Sequence, residues 1–342
     1  MGYVNLIVST DEVRFELSFD RRINFIVGDS GIGKTYLYNL LNSARTDNDI
    51  RVKSTYDYVL ASYDSIYLLI KESKDKIIII DDIDVIGGKK FSQHIKNFCV
   101  VNNLWFVIMS REDDADLEGS NRLSFSIDSI YTLQAHGNIY RNVGYYSVIP
   151  VDYSNYDIIV TEDVKAGFIF FDKLSGGKAV ASTAGKSTVC QCIKSLLMND
   201  EDQVIIAAID CAAFGCHIHE FYSYFSSYNV SYVPTLECFE ELLLQTNALK
   251  SLEPAATELA SLPVYANQFV SWESYFEDLI SRTTNNKMYH HLHSRDLPEC
   301  YTEPCDICAK QKRDKCDFAI KNGDKFAGLL AHTKYNDLLK LR

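Results

Sequence analysis

Proline is scarce in this sequence, six in 342 residues, and no low-complexity tract or solenoid-period repeat interrupts it. A Pro-rich disordered chain and a repeat array are therefore excluded. No uncharged apolar run approaches the roughly 18 residues of a spanning helix. The start, Met1-Gly2-Tyr3-Val4-Asn5, lacks the charged and apolar regions of a secretory leader. The expected setting is the cytoplasm, with no membrane segment. Basic charge is short as well: 34 Lys and Arg stand against 46 Asp and Glu, a net of −12. That excludes a broad cationic face for non-specific DNA binding, so any DNA contact must be local or metal-mediated. Ten cysteines do not make a secreted disulfide framework here, because the chain is large and six of them are scattered through apolar segments. What is present is 47% apolar content, enough for two ordinary domains with a core each.

Ile23 to Val27 reads as a buried strand, and Lys34 to Ala44 has helical spacing with Leu37, Leu40 and Leu41 on one side. Between them, Gly28-Asp29-Ser30-Gly31-Ile32-Gly33-Lys34-Thr35 fits the P-loop pattern in the strand-to-helix setting that the pattern requires. Glycines let backbone N–H groups face phosphates, and the helix N-terminus adds its dipole. Lys34 is expected to pair with the β- and γ-phosphates and Thr35 to ligate Mg²⁺, which makes the chain an ATP-binding protein and an ATPase. The apolar run Lys76 to Ile80 ends in Asp81-Asp82 and looks like a Walker B element. Asp81 would hold the Mg²⁺ shell and Asp82 would orient or deprotonate the attacking water; the plainer alternative is a strand followed by a solvated acidic turn.

A third apolar strand, Leu104 to Met109, ends in Ser110-Arg111 and resembles the strand-plus-arginine sensor of signalling ATPases such as the STAND class. The resemblance implies that Arg111 reports the γ-phosphate; the alternative is a salt-bridge partner at a strand end. Val4 to Ser9 and Val13 to Phe19 alternate as an antiparallel pair. Such a pair ahead of a P-loop resembles ABC-type and OLD-family (overcoming lysogenization defect) ATPase heads. The chain departs from those heads in two ways: only 47 positions separate Lys34 from Asp81, and the signature-like Leu174-Ser175-Gly176-Gly177 falls after the Walker B strand.

In the second half, Ala184-Gly185-Lys186-Ser187-Thr188 imitates a P-loop end, but Val180 stands where its first glycine belongs, so no second nucleotide site is expected. Strands are expected at Tyr156 to Thr161, Lys178 to Ser182, Val204 to Ile209 and Val230 to Val233, with helices between them. Glu162 follows the first, the Gly185 turn the second, and Asp210 with Gly215 the third. The arrangement resembles the TOPRIM domain of primases, topoisomerases and OLD nucleases over roughly residues 155 to 245. The resemblance implies Mg²⁺ on Glu162 and Asp210 and cleavage of DNA, yet Ala212 occupies the place of a second aspartate. Pro234 to Glu241 is expected to open a helix, from which Glu237 or Glu240 points back at the site or simply favours the helix dipole.

From about Glu253 the pattern turns helical, with Trp272, Tyr275, Phe276, Leu279 and Ile280 at helix spacing. Cys300, Cys305, Cys308 and Cys316 have spacing that suits either a structural Zn²⁺ or reduced thiols packed on the helices. The expected whole is α/β: a P-loop NTPase domain with a mostly parallel sheet over 1–150, a TOPRIM-like α/β domain over 151–250, and a helical tail over 251–342. Two functions are open: an ATP-regulated, metal-dependent nuclease or nuclease-derived protein in phage defence, or a nucleotide switch whose TOPRIM-like domain binds a partner protein. An oligomer is expected in either case.

Overall fold

A computed structural model of the chain describes residues 4–29, 31–62, 65–81, 94–95, 97–110, 129–145, 155–164, 166–210, 214, 217, 220–221, 224, 227–232, 238–245, 269 and 272–283. The protein is α/β, with a large, mostly parallel sheet and flanking helices. Two compact units divide it, one built on Met1–Ser147 and the other on Val148–Cys211 and later residues.

The first unit opens with β1 (Val4–Ser9) and β2 (Arg14–Phe19), paired antiparallel from Val4↔Phe19 to Ser9↔Arg14. Their apolar residues alternate, so each strand buries one face. The next strand, β3 (Ile23–Ile26), is buried on both faces and leads through residues 27–33 into α1 (Lys34–Ser43), which buries Leu37, Leu40 and Leu41. Then come β4 (Arg51–Ser54), β5 (Asp57–Ala61), α2 (Ile66–Glu72), β6 (Lys76–Asp81) and β7 (Leu104–Met109). Four consecutive buried isoleucines in β6 and six buried residues in β7 mark strands covered on both sides. The hairpin β8 (Ile130–His136) and β9 (Ile139–Gly144) completes a nine-stranded sheet of order β4-β1-β2-β9-β8-β3-β7-β6-β5. Burial of each large isoleucine or phenylalanine in this core is worth about 1.5–3 kcal/mol.

In the second unit, β10 (Ile158–Thr161), β11 (Ala179–Ser182), β12 (Ile205–Ala208) and β13 (Val230–Tyr232) form a wholly parallel sheet of order β11-β10-β12-β13. The helices are α3 (Ala166–Leu174), α4 (Lys186–Asn199), α5 (Phe239–Gln245) and α6 (Trp272–Thr283). From β10 the chain moves to β11 on one side, then crosses back past β10 to β12 on the other. The reversal leaves a crevice at the C-terminal ends of β10 and β12, where open parallel sheets place their ligands.

Candidate functional site

The end of β3 is fixed on both sides: the Ser110 N–H donates to the Ile26 carbonyl at 3.0 Å and the Val27 N–H to the Tyr131 carbonyl at 2.7 Å. The chain then turns at Gly28, whose φ of 140° suits glycine. A Cβ there would lie 2.6 Å from Ile32 Cδ1 and 3.2 Å from Thr132 Oγ1, so a side chain would have to displace the Ile32 tip and would also be strained by the conformation. Gly33 (φ 105°) ends the loop, and no side chain caps the first turn of α1 that follows. The Lys34 side chain is 9% exposed and folds back along the loop, its ammonium donating to the Gly28 carbonyl and, at 3.2 Å, to the Asp29 carbonyl. Thr35 is exposed on the first turn, next to Lys34. Gly31 (φ 101°) and Ile32 belong to the described part of the loop; Ser30 lies outside the described residues.

Asp81 meets this loop through register. Ile26 of β3 pairs with Met109 of β7, and Met109 pairs with Asp81 of β6. Asp81 thus sits level with the strand end feeding Gly28, two strand spacings away, about 10 Å across the sheet. Its charge reaches α1: the Tyr38 hydroxyl is pushed up first by burial and then by the Asp81 carboxylate. Tyr38 lies one turn beyond Thr35 on α1. Asp82 and Arg111 lie outside the described residues.

In the second unit Glu162 and Asp210 come together at the crevice. The Asp210 N–H donates to Glu162 Oε2 at 3.0 Å, and Glu162 directly follows β10. The ends of β10 and β11 are tied by the Thr183 hydroxyl, which donates to the carbonyls of Thr161 (2.9 Å) and Glu162 (3.0 Å), and by the Gly185 N–H on the Glu162 carbonyl (2.9 Å). Beneath lies a cavity of about 460 Å³ lined by Glu162, Asp163, Gly185, Asp210 and Glu240 together with apolar Phe171, Ile209, Phe239 and Leu242. Asp163 caps α3, its carboxylate accepting the N–H groups of Gly167 (3.1 Å) and Phe168 (2.9 Å). Among the described residues no three His, Cys, Asp or Glu side chains converge closely enough to hold a metal ion.

The helix expected to open at Pro234 begins at Phe239, with Cys238 in a bend before it. Asp210 accounts for the start: Oδ1 accepts the Phe239 N–H at 3.0 Å, a cap supplied from 29 residues upstream. The acids in the first turn are Glu240 and Glu241, 2% and 3% exposed, and Glu240 lines the cavity. Glu237, Ala212, Gly215, Cys300, Cys305, Cys308 and Cys316 lie outside the described residues.

Burial raises the Glu162 carboxyl above its ordinary range, opposed by the Asp210 N–H and the Lys186 charge and assisted by Asp163. A carboxyl raised in the folded state keeps its proton where the unfolded chain has lost it, so its stability contribution, present below the unfolded value near 4.5, is lost as pH rises through the folded value. Glu162→Gln keeps an acceptor for the Asp210 N–H and cannot ionise. The variant is therefore expected to gain stability over the parent at pH 7–8 and to lose that advantage at pH 4, as read by thermal melts at both pH values. An equal difference at both would remove the assignment of burial strain to Glu162.

The sequence reading missed β4, β5 and the β8–β9 hairpin. The hairpin had a signal in Gly137-Asn138, two residues between the paired His136 and Ile139, with Gly137 at φ 66°. Among the described residues no helix is long and apolar enough to cross a membrane. Compared with protein-family models and with curated proteins, the chain finds no match in either.

Proposed function

We propose that the protein binds and hydrolyses ATP with Mg²⁺ at the loop Gly28–Thr35, and that this activity drives a TOPRIM-like second unit that cuts DNA or descends from one that did. The observation that carries the reading is the loop itself. Three positive-φ glycines stand in the turn that leads into α1, a nearly buried ammonium is held on the carbonyls of that turn, and a carboxylate stands in register two strands away. Backbone N–H groups and the helix dipole favour a phosphate there. The Lys34 ammonium, now on the carbonyls of Gly28 and Asp29, would exchange them for phosphate oxygens, a stronger charge-assisted pairing. The Thr35 hydroxyl and the Asp81 carboxylate are hard oxygen donors and suit Mg²⁺, which would neutralise phosphate charge when bound. Asp82 orients the attacking water and Arg111 follows the γ-phosphate in this reading.

Removing either oxygen donor separates nucleotide binding from metal use. Asp81→Asn and Thr35→Ala are each expected to raise the Mg²⁺ concentration for half-maximal ATP hydrolysis about tenfold or more, because neutral or missing ligands weaken a hard-cation site. An unchanged Mg²⁺ dependence in steady-state phosphate release would show that the metal is held elsewhere.

For the second unit, the support is the convergence of Glu162 and Asp210 at the switch point of a parallel sheet, over a cavity that also takes Glu240. One observation favours the second reading, a partner-binding switch without cleavage: Glu162 accepts the Asp210 N–H and Asp210 caps α5, so both carboxylates already serve the fold.

A further inference from the structure

The loop Gly28–Thr35 accounts for a triphosphate but not for a base, and the surface beside it is aromatic. Phe15 of β2 is fully buried, and two tyrosines rest on it. Tyr140 of β9 stacks on Phe15 with centroids 4.8 Å apart and planes at 22°, and Tyr36 tilts against it at 6.2 Å. Tyr36 lies immediately after Thr35 on α1 and is 47% exposed. Tyr140 is half-buried and touches the loop: a Cβ on Gly33 would sit 3.4 Å from its Cε1. One ring therefore belongs to the turn that carries Lys34 and Thr35 and the other lies beside its first residue, Gly33.

Register then gives the platform an open side. Phe15 of β2, Tyr140 of β9 and Ala135 of β8 lie in one row across three adjacent strands and share a face of the sheet. On one side Tyr140 has the Phe15 ring; on the other its partner in the row is Ala135, a small and exposed residue. A large side chain at 135 would close the space that alanine leaves. A flat ring fits such a place, held on one face by a tyrosine whose position is fixed from behind by a buried phenylalanine.

Resting on the nucleotide reading above, we infer that Tyr140 and Tyr36 form the nucleobase subsite of the loop, taking the base by stacking. Stacking uses the π-face that every base has, so recognition tolerates different bases and ranks them by stacking strength, purines above pyrimidines. The site selects nucleoside triphosphates over bare polyphosphate without reading hydrogen-bond edges.

The test is a calorimetric comparison of Mg·ATP, Mg·GTP, Mg·CTP and Mg·tripolyphosphate on the full chain. The parent is expected to bind ATP and GTP roughly 10- to 100-fold more tightly than tripolyphosphate, with CTP between them. Tyr36→Ala and Tyr140→Leu should each remove much of that preference and leave tripolyphosphate affinity unchanged, and Tyr140→Trp should keep it. Tyr36 is exposed, so its variant decides the matter if Tyr140→Leu folds poorly. Equal affinity of the parent for ATP and tripolyphosphate, or a preference untouched by Tyr36→Ala and Tyr140→Leu, overturns the subsite alone. Failure of the parent to bind either ligand overturns the subsite together with the nucleotide reading.

Discussion

Lys34→Ala is expected to weaken Mg·ATP binding about 100-fold or more, because each charge-assisted hydrogen bond to phosphate is worth about 1.5–3 kcal/mol and each 1.4 kcal/mol is tenfold. The ammonium is nearly buried against the loop and held by the carbonyls of Gly28 and Asp29. It is placed before ligand arrives, so little side-chain ordering offsets its gain. Lys34→Arg separates charge from shape: guanidinium keeps the charge but is a broad fork that does not fit a compact ammonium site. We expect the arginine variant to bind nearly as poorly as the alanine variant. Calorimetric titration of both checks the effect, and affinity unchanged in Lys34→Ala would remove the loop from the nucleotide site.

The second large effect concerns DNA. With a working second unit, Glu162→Gln and Asp210→Asn are each expected to eliminate plasmid nicking in Mg²⁺ or Mn²⁺ while ATP binding stays intact, since phosphodiester cleavage of this kind needs anionic ligands for a cation. The pair stands at the ends of β10 and β12 with the Asp210 N–H on Glu162. Ala212→Asp, which adds a carboxylate two residues after Asp210, should preserve or raise cleavage and lower the Mg²⁺ requirement. The same Glu162→Gln change is expected to stabilise the fold at neutral pH by removing a strained carboxylate, so loss of cleavage would not reflect unfolding. No cleavage by the parent under any condition would favour the partner-binding switch.

Strands buried on both faces were legible because their signal is local: the isoleucine run of β6 and Leu104 to Met109 of β7 have no solvent face to interrupt them. The β1–β2 pair showed itself by alternation, and the glycine loop by its setting between strand and helix. Neither β4 nor β5 was legible. Arg51–Ser54 alternates only between exposed and half-buried, and in Asp57–Ala61 only Ala61 is buried, so apolar periodicity is weak at these edges of the sheet. The strand order was also beyond reach, since placing β7 between β3 and β6 is a tertiary choice. For the candidate sites, Glu162 and Asp210 were found by their positions after apolar runs, but the Asp210 cap on Phe239 joins residues 29 apart and leaves no local mark. Tyr140 was missed for the same reason: its place beside Gly33 follows from the parallel pairing of β2 with β9.

The central claim is that Gly28–Thr35 holds a nucleoside triphosphate, and the most direct test is titration of the parent protein with Mg·ATP by isothermal calorimetry. The account predicts saturable binding at one site per chain that competes with Mg·tripolyphosphate and is lost in Lys34→Ala. Absence of binding by the parent across millimolar Mg·ATP, or binding that Lys34→Ala leaves intact, would contradict it.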